Sequence, residues 1–193
     1  MFSYPGGIAA VRKRPGMYVG DTGDGTGLHK LLDEVVGNAI NEAAAGHGRN
    51  IFVRLNPDGS CSVRDNGRGI PVDRHPELGI SVPEVMMTAL HSGAGIERPY
   101  QGIGLCPVNA LSDWLDLRVW RNGAEYYIRF VDGVLASPLR RVGDSEGKRG
   151  TELTFKPSQS FFTTVEFDAP LLQRRMGELS AAHGVTIQFD DQR

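Results

Sequence analysis

The chain has 193 residues, with 21 Lys and Arg against 23 Asp and Glu and a formal charge of -2. It is sized for a single core, one domain over 1–193, and its net charge gives no drive onto nucleic acid or a membrane surface. Two cysteines, Cys61 and Cys106, stand far apart with no CxxC, which excludes a disulfide scaffold and a cysteine-based zinc site.

The first residues, 1–7, lack a basic start followed by an apolar run, and no later stretch offers roughly 18 uninterrupted apolar residues, so the expected location is the cytoplasm. Glycine makes up 25 of the 193 residues but gathers at 16–27, 67–69, 93–104 and 143–150, the pattern of working loops rather than of a linker. From Leu28 to Ala45, apolar residues Leu28, Leu31, Leu32, Val35, Val36, Ala39, Ile40 and Ala43 recur at helical spacing and Gly46 supplies a stop, which predicts a helix. Ile51 to Leu55 and Ser60 to Arg64 flank Asn56-Pro57-Asp58-Gly59 and read as a hairpin. A second hairpin joins Leu115 to Arg121 and Glu125 to Val131 through Asn122-Gly123, a pair suited to positive φ. Thr151 to Phe155 and Val185 to Phe189 read as further strands, and Asp168 followed by Pro170 opens a helix running to about His183. Helices on one face of a mixed, mostly antiparallel sheet give an α+β two-layer sandwich.

On the first helix, Glu34, Asn38, Asn41 and Glu42 share one side, because successive residues rotate by about 100°. Glu34 as proton acceptor and Asn38 through its amide oxygen can share a water or a metal ion; the same row also fits a plain solvated face. After the second strand comes Asp65-Asn66-Gly67-Arg68-Gly69-Ile70-Pro71, where two glycines let backbone approach whatever Asp65 binds. An ionised carboxylate offers only acceptors, so Asp65 facing an exocyclic amine selects adenine against guanine, whose equivalent position is a carbonyl. Alone, the run also fits an Asn-Gly turn. Gly102-Ile103-Gly104-Leu105 leads into Cys106 to Ser112, which can open a helix whose first amides suit phosphates. Thr151 either supplies a hydroxyl to a ligand or serves only its strand.

These pieces stand in one order: Arg14-Pro15-Gly16-Met17-Tyr18-Val19-Gly20-Asp21, Glu34-Val35-Val36-Gly37-Asn38-Ala39, Asp65 to Pro71, Gly102-Ile103-Gly104, Val108-Asn109-Ala110-Leu111-Ser112 and Gly150-Thr151. Together, over most of the chain, they resemble the N-terminal ATPase domains of the bacterial type II topoisomerases, those of DNA gyrase B and its topoisomerase IV counterpart. The helix asparagine, the DxGxG and the GxG are shared more widely by the GHKL ATPases, which include Hsp90, MutL and histidine kinases. The resemblance implies a Bergerat fold that binds ATP and Mg2+. Glu34 would be the general base on the attacking water and Asn38 the Mg2+ ligand. Asp65 and Thr151 would read adenine, Arg68 would pair with Glu42, Ile70 and Pro71 would line the base, and Gly67 and Gly69 would shape the loop. Gly102, Gly104 and Leu105 would face the phosphates. Aminocoumarin antibiotics bind the same pocket edge in this family, with an important arginine contact from the second hairpin, and Tyr127, with Arg129 nearby, is read here at that arginine's place.

The chain also departs from that family. Its stub from Leu90 to Gln101 replaces a long lid, Pro107 predicts a late or bent helix after Gly104, and Gly37 and Asn41 stand where acidic residues are usual. The chain stops ahead of the transducer domain, whose lysine reaches the γ-phosphate, and has only a short N-terminal arm, so the resemblance implies weak hydrolysis by this piece alone. As implied partners, a full-length enzyme would supply a second B-type subunit, an A-type subunit and DNA held through other domains; for this domain the expectation is a monomer with no direct DNA or membrane contact. Two functions follow: ATP hydrolysis driving DNA strand passage, or a free-standing nucleotide-binding module with little turnover that acts through a protein partner. A purely structural role is the weaker reading, because Glu34, Asn38, Asp65 and Thr151 are all retained.

Overall fold

The computed structural model describes residues 6–90 and 102–193. The shortened lid segment, 91–101, and most of the N-terminal arm, 1–5, lie outside the described residues. Two short helices open the fold, α1 (Gly6–Lys13) and α2 (Gly16–Val19), followed by the long α3 (Thr26–Ala44). The hairpin β1 (Asn50–Leu55) and β2 (Cys61–Asp65) comes next, then α4 (Val82–Thr88) and α5 (Cys106–Ala110). The chain continues through β3 (Ser112–Arg121), β4 (Ala124–Val131), β5 (Val134–Asp144) and β6 (Gly150–Pro157), and closes with α6 (Ala169–His183) and β7 (Thr186–Asp191).

Among the described residues the strands form one seven-stranded sheet in the order β5-β4-β3-β6-β2-β1-β7. Every neighbouring pair is antiparallel except β1 with β7, which returns parallel after the α6 crossover. The register puts Val53, Val63, Leu153, Leu117 and Ile128 in one row and Leu55, Cys61, Phe155, Leu115 and Phe130 in the next, all buried. Strand alternation therefore turns one face wholly inward, against α3, while Phe52, Arg54 and Arg118 on the other face stay exposed. This is the expected α+β two-layer sandwich.

Helix α3 buries Leu28, Leu31 and Leu32 completely. At about 1.5–3 kcal/mol for each buried leucine, they outweigh the ~1 kcal/mol that Gly37 costs in mid-helix. Helix α5 corrects one expectation: it starts directly at Cys106, because Pro107 sits in the first turn, where no intrahelical N–H is required. It also ends at Ala110, since Ser112 already begins β3 and donates its hydroxyl to the Val108 carbonyl at 2.7 Å. Both cysteines are free and buried, and burial pushes the Cys106 thiol up to about 12.

Helix α6 is capped as its sequence indicates. The Asp168 carboxylate accepts from the Leu171 N–H at 2.9 Å, and Gly184 closes the other end with φ 63°. Asp168→Ala is expected to cost about 1 kcal/mol, read as a lower urea midpoint with an unchanged slope. A loss below a few tenths would mean the cap contributes nothing.

Candidate functional site

The site lies where α3 crosses the sheet beside the end of β2. On the apolar face, Asp65 is the last residue of β2 and pairs across to Ile51, and Thr151, at the start of β6, pairs with Val119. Both are buried, so a carboxylate and a hydroxyl interrupt an otherwise apolar layer. A recess with about 230 Å3 of empty space out to the solvent opens above them, lined by Val35, Asn38, Ala39, Val63, Asp65, Ile70, Leu105, Thr151 and Leu153.

The polarity of this recess is narrow. Asp65 Oδ1 accepts from the backbone N–H groups of Gly67 at 2.8 Å and Thr151 at 3.4 Å. Burial nevertheless dominates those donors and raises the Asp65 carboxyl to about 6. Thr151 Oγ1 accepts from the Ile70 N–H at 3.1 Å, which leaves its hydroxyl proton free to be donated into the recess.

The glycines are required by close approach. A Cβ on Gly67 would sit 2.3 Å from Glu42 Cγ, and one on Gly69, whose φ is +80°, would sit 2.9 Å from Val119 Cγ1. Arg68 is held on α3 by three bonds to Glu42: N–H and Nε to Oε1 at 2.8 and 2.9 Å, and Nη2 to Oε2 at 3.1 Å. Partial burial pushes the Glu42 carboxyl up, but the Arg68 donors more than offset this and leave it lowered. The implied Arg68–Glu42 pair is therefore present. Ile70 is buried and lines the recess, whereas Pro71 is exposed and does not line it, because the chain turns outward after Ile70.

One turn before Asn38 on α3, Glu34 is buried. Its Oε2 accepts from the Gly104 N–H at 2.9 Å, and Lys30 Nζ lies 2.8 Å from Oε1 in an ion pair that lacks hydrogen-bond geometry. Gly102 packs against the same carboxylate so closely that a Cβ there would stand 2.1 Å from Oε2. Gly102 and Gly104 are exposed beside this carboxylate, while Leu105 is buried and its side chain lines the recess wall instead. Among the described residues no group of three or more His, Cys, Asp or Glu is arranged to hold a metal ion. A Mg2+ here would take Asn38 as a protein ligand and complete its shell with waters and ligand phosphates, which suits an ion that keeps much of its hydration.

Three further residues, Lys30, Arg121 and Arg149, contact the groups of this site and are not reached by sequence reasoning. Lys30 is visible in principle, four residues before Glu34 on one helix face. Arg121 Nη1 donates to the Gly69 carbonyl at 2.7 Å, and Arg149 Nε donates to the carbonyls of Asn66 and Gly67, each at 3.1 Å. Arg121 also corrects the reading of Tyr127. Tyr127 pairs with Arg118 on the open face, where its hydroxyl donates to Asp116 Oδ1 at 2.7 Å alongside Arg129, so the hairpin residue that reaches the pocket loop is Arg121.

Comparison with known proteins agrees with this geometry. Residues 23–160 match the family model described as histidine kinase-, DNA gyrase B-, and HSP90-like ATPase, and the chain belongs to that family. Within it the similarity is to gyrase B. The chain is 50% identical to the DNA gyrase B protein of Rickettsia bellii, over 97% of this chain and 24% of that protein. It is 44% identical to the DNA gyrase B protein of Thermotoga maritima, over 96% of this chain and 30% of that protein. The 43K ATPase domain of Thermus thermophilus gyrase B, solved in complex with an aminocoumarin, superposes with a TM-score of 0.88 at 44% identity, covering 96% of this chain and 49% of that one. The chain thus spans about a quarter of the length of the curated relatives it matches. No helix among the described residues is long and apolar enough to cross a membrane.

Proposed function

We propose that this domain binds Mg-ATP and hydrolyses it, and that in the whole protein the hydrolysis drives DNA strand passage by a type II topoisomerase of the gyrase B kind. The observation that carries the nucleotide assignment is Asp65. It is a buried carboxylate whose Oδ1 is already satisfied by two backbone donors, so Oδ2 is left to accept from an exocyclic amine. The Thr151 hydroxyl then donates to a ring nitrogen of the same base. Ile70, Val35 and Val63 provide apolar walls for it.

The recess is open to solvent and lined mainly by apolar side chains around Asp65 and Thr151. It takes the base, and the triphosphate runs outward over Gly102 and Gly104. Asn38 would hold a Mg2+ ion through its amide oxygen, and the ion, when bound, would neutralise charge on the phosphates. Glu34 stands at that end of the site as the proton acceptor for water, its carboxylate aimed by the Gly104 N–H and Lys30. Arg121, on the rim, occupies the place from which a hairpin arginine would meet an aminocoumarin. In the whole protein, the partners are a second B-type subunit, an A-type subunit and DNA.

Competition between nucleotides tests the binding half directly. ATP, with Mg2+, is expected to raise the melting temperature of this chain, and GTP at the same concentration is expected to raise it far less. Equal stabilisation by both would remove Asp65 from base recognition.

A further inference from the structure

We infer that Arg149 is a positioning residue for base recognition, acting on Asp65 through the peptide that joins Asn66 to Gly67. This rests on the assignment of Asp65 to adenine. That peptide has its carbonyl on Arg149 Nε at 3.1 Å and its N–H on Asp65 Oδ1 at 2.8 Å. A trans peptide points these two groups in opposite directions. The guanidinium therefore pulls on one end of the unit while the carboxylate holds the other, and a cation at the carbonyl strengthens the N–H as a donor. Arg149 Nε is shared with the next carbonyl, Gly67, at the same distance, which fixes the rotation of both peptides at once.

The surrounding geometry leaves Arg149 a defined launch point. Gly150, with φ +110°, lies so close to β2 that a Cβ there would stand 2.0 Å from the Asp65 carbonyl oxygen, so β6 begins hard against the end of β2. From the other side the Asn66 side chain accepts the Arg49 and Asn50 N–H groups at 3.0 Å each. The Asn66–Gly67 peptide is thereby gripped between the start of β1 and Arg149, and the Gly67 N–H is presented to Oδ1. With Oδ1 occupied, Oδ2 is the atom turned to the ligand. Losing Arg149 frees the peptide to rotate and lets the carboxylate turn with it, which spoils discrimination between an amine and a carbonyl on the base more than it spoils contact with the phosphates.

The test is an equilibrium titration of non-hydrolysable ATP and GTP analogues with Mg2+ on the wild-type chain, Arg149→Ala, Arg149→Gln and Arg149→Lys, each first shown to unfold cooperatively. The expected result is about a tenfold loss of ATP affinity in the Ala and Gln variants, the scale of one charge-assisted hydrogen bond. GTP affinity should stay where it was, and Arg149→Lys, which keeps a cationic donor, should fall between. Equal losses for both nucleotides would reduce Arg149 to a general support of the loop, and no loss would remove it from the site; either outcome overturns the inference. A wild-type chain without preference for ATP would instead contradict the assignment of Asp65 itself.

Discussion

Asp65→Asn is expected to abolish recognition of ATP while making the empty domain more stable at neutral pH. The substitution keeps an oxygen for the Gly67 and Thr151 N–H groups but replaces the second oxygen with an amine. Two amines then face each other across the base. An opposed pair of donors in a dry site costs about 2–4 kcal/mol, roughly 30- to 1,000-fold in affinity.

The stability gain follows from the sign of the shift at Asp65. Burial raises its carboxyl from 3.8 to about 6, so the folded state binds its proton more tightly than the unfolded chain does. Stability contributed by the protonated form is complete below pH 4 and is lost as pH rises through about 6. At pH 7 the wild type therefore carries the full cost of a buried charge, about 1–3 kcal/mol at 1.36 kcal/mol per pH unit, and the Asn variant does not. Thermal unfolding of both chains at pH 4.5 and pH 7.5 reads the difference. The variant should gain at the higher pH alone, and a variant destabilised at both would show that the carboxylate is held favourably in the empty fold. ATP binding by the wild type should likewise weaken below about pH 6, where Asp65 is protonated and loses its role as acceptor only.

The second large effect is expected at Glu34. Glu34→Gln keeps the volume and a hydrogen-bond acceptor for the Gly104 N–H but cannot take a proton from water. Phosphate release, measured with the chain in excess over ATP, should fall by about 10²- to 10⁴-fold, while affinity for a non-hydrolysable analogue stays at the wild-type level. Unchanged release would remove Glu34 as the base. A parallel loss of analogue affinity would show that this carboxylate serves binding and not the chemical step.

Most of the fold is legible wherever local chemistry and burial point the same way. Helix α3 announces itself by its apolar stripe, and the β3–β4 turn by Asn122-Gly123, whose φ values of 53° and 76° are the positive pair such a turn needs. Strand β5 escapes a sequence reading because it is an edge strand, exposed along much of its length and interrupted by Pro138, so no alternation marks it. The Asp132-Gly133 pair, with φ 50° and 72°, is the available signal. Helix α4 escapes it too, although Ser81 and Glu84 form the start of a capping pattern, with the Ser81 hydroxyl accepting the Glu84 N–H at 3.3 Å.

At the site, the groups that come from one continuous run are readable: Glu34 with Asn38, and Asp65 with its glycines. Arg121 and Arg149 are not, because each reaches the 65–69 loop from more than fifty positions further along the chain, and nothing in local spacing encodes that reach. Tyr127 is misplaced by sequence for a related reason. Which face a strand residue occupies depends on register, and the β3–β4 pairing sets Tyr127 opposite Arg118 on the open face.

The central claim, that Asp65 makes this recess an adenine site, is tested most directly by calorimetric titration of a non-hydrolysable ATP analogue with Mg2+ into the wild-type chain and Asp65→Asn. The expected result is saturable binding by the wild type and binding weaker by about 30-fold or more by a variant that is folded and melts higher at pH 7.5. Equal binding by both chains would contradict it.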